Sequence, residues 1–126
     1  MANVAKTSRR DATDLAAGWS ELGKARWPAA RSLFQNALVV EETPEAFEGL
    51  SWAAWWLHDA EAVFEARQQA FRLYKQRGDA TAAARMATWL AADQLDFRGA
   101  VAVAGGWLRR AHRLLDPLSL GPTTGG

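Results

Sequence analysis

The chain has 126 residues, 49% of them hydrophobic and 23% charged, which is the composition of one folded domain and too short for two full ones. Cysteine is absent, so disulfides, thiolate metal sites and a cysteine nucleophile are excluded, and His58 and His112 stand too far apart to form a histidine metal site. The net charge of +1 provides no global field for nucleic acid or anionic membrane, although Lys6, Arg9 and Arg10 make the first ten residues basic and leave residues 11–116 mildly acidic.

The opening MANVAKTSRR is followed by no apolar run, so no secretory signal is expected, and no stretch approaches the roughly 18 apolar residues of a membrane span. A cytoplasmic protein is the expectation. Alanine and other good helix formers dominate, and no apolar/polar alternation marks a strand. Breakers and caps divide the chain into six predicted helices. The first runs from Asp11 to Gly23. The second opens at Pro28, suited to a first turn, and runs to Val40. Thr43 caps the third, with Pro44 at its first position and Glu45 and Glu48 near its start, and it ends by His58. Asp59 caps the fourth, which stops at Gly78 after Lys75 and Arg77. Asp79 caps the fifth, which ends at Gly99. The sixth covers Ala100 to Leu115 and stops at Pro117. Residues 1–10 are expected to be a disordered basic arm and 118–126 a disordered tail. Short links predict antiparallel pairs.

The pairs repeat. Ala37, Ala70 and Ala111 align in the even helices. Three residues before each stands Phe34, Arg67 or Leu108, seven before stands Ala30, Val63 or Ala104, and nineteen before stands a small residue, Gly18, Ser51 or Ala92. The small residue lets the second helix approach, the alanine lets the next pair pack, and the bulky residue wedges between them. Arg67 breaks the pattern, since a large apolar side chain is expected there.

This register resembles the tetratricopeptide repeat, which has two helices and about 34 residues per unit. It covers residues 11–117 as repeats of about 11–43, 44–78 and 79–117. The segments LVVEETPEAFEGLSWAAWWLHD, RLYKQRGD, ARMATWLAADQLDFRG and GWLRRAHRLL are similar to the repeat region of large actinobacterial LuxR-type transcriptional regulators, without their helix-turn-helix domain. The resemblance implies an all-α fold of three antiparallel hairpins stacked as a right-handed α-solenoid. It also implies a sensory or partner-binding role in which the first helix of each pair lines a concave groove. On that basis the groove-facing residues are Trp19, Glu45, Glu48, Trp52, Trp55, Trp56, Met86, Trp89, Asp93, Asp96 and Phe97.

Seven tryptophans give that groove an aromatic floor, with the alternative that they serve core packing. An acidic rim would select a basic, amphipathic segment of protein or peptide, and the chain's own arm is one candidate. Repeat stacks also leave apolar end faces, and Val103, Trp107 and Leu108 on the last helix predict a homodimer as the rival function. A small-molecule sensor with a tryptophan-lined cavity is the remote third. Arg109, Arg110, His112 and Arg113 read as charges complementing a helix C-terminus rather than a nucleic-acid contact. Glu61 with Glu65, and Asp93 with Asp96, read as solvated or arginine-paired acids. Gly105-Gly106 reads as a close helix crossing rather than a phosphate loop. No catalytic residue, metal or cofactor is expected.

Overall fold

The structure, a computed structural model, describes residues 2–116, with side chains from Thr13 onward. These residues form helices α1 (Ala2–Gly23), α2 (Trp27–Val40), α3 (Pro44–Trp56), α4 (Ala60–Arg77), α5 (Ala80–Arg98) and α6 (Val101–Leu115), with no strand among the described residues. The all-α expectation therefore holds. None of the helices is long and apolar enough to cross a membrane.

Most helix ends fall where local chemistry puts them. The N–H of Ala46 donates to Thr43 Oγ1 at 3.2 Å, that of Ala62 to Asp59 Oδ1 at 3.2 Å, and that of Ala82 to Asp79 Oδ1 at 3.0 Å. The start of α1 differs from expectation. It begins at Ala2 and runs through positions 2–10, where a disordered arm was expected, because Ala2, Ala5, Lys6, Arg9 and Arg10 favour helix and no glycine or proline interrupts them. The expected tail, 118–126, lies outside the described residues.

Four helices end on a left-handed residue: Ala25 (φ 62°), His58 (φ 59°), Gly78 (φ 84°) and Gly99 (φ 61°). After α1, α3 and α4 the next N–H reaches back five residues, Arg26 to Glu21, Asp59 to Ala54 and Asp79 to Tyr74, at 2.9–3.0 Å. Ala25, His58 and Gly99 each lie twelve residues before Ala37, Ala70 and Ala111, so the three alanines follow left-handed turns at the same distance. The aligned alanines are all buried, at 0%, 0% and 6% exposure.

A Cβ in the left-handed region costs about 1–2 kcal/mol, partly offset in a glycine substitution by extra freedom of the unfolded chain. Ala25→Gly is therefore expected to stabilise the protein by about 0.5–1 kcal/mol, read from the urea midpoint at unchanged slope. A loss of stability would mean that α1 does not end in this turn.

Packing divides the chain within α4 rather than at the hairpin boundaries 43/44 and 78/79, into units Met1–Ala66 and Arg67–Gly126. In the first unit α1 packs on α2, α2 packs on α3, and α1 also touches α3. Its core holds Ala30, Phe34 and Ala53, with Leu15, Leu22 and Leu50 packed around them. Phe34 is wholly buried and wedged between two glycines. A Cβ on Gly18 would stand 2.8 Å from the ring, and one on Gly49 would overlap it. Trp19 closes on the same ring edge-to-face at 5.3 Å.

In the second unit α5 packs on α6. Met86, Leu90 and Ala87 of α5 are fully buried, as are Ala104 and Ala111 of α6 nearly so. Trp107 meets Phe71 of α4 edge-to-face at 5.3 Å. The close crossing expected at Gly105-Gly106 is absent among the described residues. Both glycines are half-buried, and a Cβ on either would meet only the Arg109 side chain of the same helix.

Candidate functional site

The expected groove residues divide between the two units and differ sharply in exposure. On α3, spacings of three and four residues bring Trp52, Trp55 and Trp56 to neighbouring positions. Trp55 meets Trp56 edge-to-face at 4.9 Å, and Trp52 meets Trp55 the same way at 6.1 Å. The chain of rings continues across to α2, where Trp27 stacks on Trp56 at 4.7 Å with the ring planes 4° apart. Trp27, Trp52 and Trp55 are half-buried, and Trp56 is 47% exposed. Ring contacts of this kind contribute about 0.5–1.5 kcal/mol each beyond the buried area, and they restrain the four indoles they join.

The sequence reading did not anticipate the part of Trp27 in this surface. Its partner lies 29 positions away, and Pro28 in the first turn of α2 was the sole local sign that Trp27 stands at a helix start. Around the rings stand the turn residues His58 and Asp59, both exposed, with Asp59 Oδ2 3.7 Å from Arg31 on α2. That exposed pair orients side chains more than it stabilises the fold.

The acidic rim is less simple than expected. Glu45 is half-buried in the first turn of α3, about 16 Å of helix from Trp56 by rise alone. Glu48 is buried at 8% exposure, one turn before Trp52, because this part of α3 faces into the packed unit. Trp19 is 37% exposed on α1, over Phe34.

In the second unit, Trp89 (36% exposed), Asp96 (exposed) and Phe97 (half-buried) are at the surface of α5. Met86 and Asp93 are not groove residues. Both have 0% exposure, because this side of α5 is covered within the unit. Asp93 Oδ2 stands 2.8 Å from Arg67 Nε, and Arg67 is itself fully buried. The position where the repeat calls for a large apolar wedge thus holds a charge, and Asp93 neutralises it. The Arg67 guanidinium also lies 5.4 Å from the Trp89 ring centre.

The expected self-association face is corrected at one residue. Trp107 is only 9% exposed, held between Phe71 and the Arg110 guanidinium, which lies 4.4 Å from its ring centre. Val103 and Leu108 remain exposed, at 48% and 43%.

Among the described residues no three His, Asp or Glu side chains are grouped to hold a metal ion. A cleft of about 460 Å³ in the first unit is lined by Asp14, Asn36, Val39 and Val40, none of them aromatic. A tryptophan-lined cavity therefore has no counterpart in that cleft. Compared with known proteins, the chain matches no family model, no curated protein and no solved structure.

Proposed function

We propose that this chain is a non-enzymatic helical-repeat module that binds a basic, amphipathic segment of protein on the tryptophan surface of its first unit. The observation that carries the reading is Trp56, nearly half exposed yet clamped by Trp27 and Trp55. A rigid, exposed indole is the side chain best suited to anchor a small interface, because it contributes large area at little entropic cost. Its charge setting supports a basic partner: Asp59, Glu61 and Glu65, all exposed, follow Trp56 within nine residues. The backbone repeat supports stacking of the hairpins as a tetratricopeptide-like α-solenoid. The resemblance to LuxR-type regulators supports a cytoplasmic sensory or partner-binding role, without direct contact to nucleic acid.

The test is titration with a synthetic amphipathic Lys/Leu peptide, read by acrylamide quenching of tryptophan fluorescence. Binding is expected to shield part of the quenchable signal, and Trp56→Ala is expected to weaken it at least about tenfold with helicity unchanged. Equal binding by parent and Trp56→Ala, or no shielding at all, would refute the reading.

A further inference from the structure

Charge is segregated along this chain. Met1–Ala66 holds ten acids against six bases, a net −4, and Arg67–Gly126 holds nine bases against four acids, a net +5. The segregation sharpens at two surfaces. The acid-only stretch 32–66 bears Trp52, Trp55 and Trp56. Residues 97–115, mostly α6, hold four arginines and His112 and no acid.

The α6 helix also leaves an apolar stripe open. Ala104, Trp107 and Ala111 form its buried face. Beside that face Val101, Leu108 and Leu115 recur every seven residues, at 72%, 43% and 53% exposure. His112 and Arg109, both exposed, follow the outer edge of the stripe. In the repeat register Leu108 is the counterpart of Phe34, which is wholly buried between Gly18 and Gly49. The position that inserts between helices in the first repeat is uncovered in the last.

We propose that α6 of one copy docks its basic, apolar stripe on the acidic tryptophan surface of a second copy's first unit. This rests on the reading that the tryptophan surface takes a basic amphipathic segment, and it names α6 as that segment. Charge complementarity selects the occupant, since one chain carries both halves of the match. Leu108 and its neighbours supply apolar area to the exposed face at Trp56, and the arginines of α6 meet the acids at 59, 61 and 65. The two surfaces are different patches, so the contact is heterologous. Each copy keeps one open α6 and one open tryptophan surface, and assembly continues into a ring or an open chain.

Sedimentation velocity across a wide concentration range tests this with two variants, Leu108→Ser/Arg109→Glu and Trp56→Ala/Glu61→Lys. The parent is expected to self-associate, more weakly at high salt. Each variant alone loses one surface and should weaken association at least about tenfold. Mixed in equal amounts, they retain one working contact and should form a 1:1 dimer that grows no further. If Trp56→Ala/Glu61→Lys loses helicity by circular dichroism, Glu61→Lys alone replaces it. A parent that stays monomeric at every concentration overturns the proposal, as does a mixture that fails to pair. Binding of anionic lipid vesicles through α6 by a monomeric parent would likewise overturn it and give the stripe to membranes. If the parent is monomeric while the Lys/Leu peptide still shields tryptophan, only the occupant is wrong and the binding reading stands.

Discussion

Asp93→Ala is expected to destabilise the protein by about 3–5 kcal/mol, the range for removing one partner of a buried ion pair. Asp93 and Arg67 both have 0% exposure, and their charges meet at 2.8 Å. Taking the carboxylate away leaves a guanidinium in a low-dielectric interior. Water cannot solvate it there, and an arginine side chain keeps its charge. Typical total stabilities are about 5–15 kcal/mol, so the loss would be large enough to unfold much of the second unit at moderate temperature. Arg67→Leu/Asp93→Leu removes both charges and places a buried apolar side chain where Phe34 stands in the first unit. That double variant is expected to recover most of the loss, because a buried pair and a well-packed apolar pair are often nearly equal in stability. The measurement is urea denaturation of the three proteins, followed by circular dichroism. A single variant as stable as the parent would show that the pair is not buried in solution.

Gly49→Ala is expected to cost about 3 kcal/mol, at the upper end for overpacking. The added methyl group would overlap Cε1 and Cζ of Phe34, and the ring has little room to shift because Gly18 stands against the same ring atoms, Cδ1, Cε1 and Cζ. The same geometry predicts coupling. In the Gly49→Ala background, Phe34→Leu should be far less harmful than in the parent, because a smaller side chain makes room for the methyl. A double-mutant cycle by thermal or chemical melting gives the interaction directly. Strict additivity of the two substitutions would mean that these residues do not touch.

Apart from the start of α1, the groups that decide where the helices begin and end lie within a few residues of one another, so they could be read from the sequence. Thr43, Asp59 and Asp79 cap helices whose first N–H groups lie three residues on, and Gly78 and Gly99 stop helices by their own backbone freedom. The buried alanines were legible for a related reason: within each even helix, Ala37, Ala70 and Ala111 stand seven residues after another apolar residue, Ala30, Val63 or Ala104, on one helix face, and all six are buried. Ala25 and His58 escaped notice because nothing in either residue type announces a left-handed turn.

The sequence by itself therefore determined the number of helices and most of their ends, since capping and periodicity are local. What covers each face was decided only in the folded chain. Trp56 and Trp107 both read as candidate surface tryptophans, yet one is exposed and the other lies against Phe71. Arg67 read as a departure from the repeat until Asp93, 26 positions away, came to rest beside it. Trp27 joined the candidate site only because α2 and α3 pack so as to lay it flat on Trp56. Helical spacing sets the direction in which a side chain points. Burial and ion pairing depend on what another segment places there, and that information is held in the packing of distant residues rather than in any stretch of the sequence.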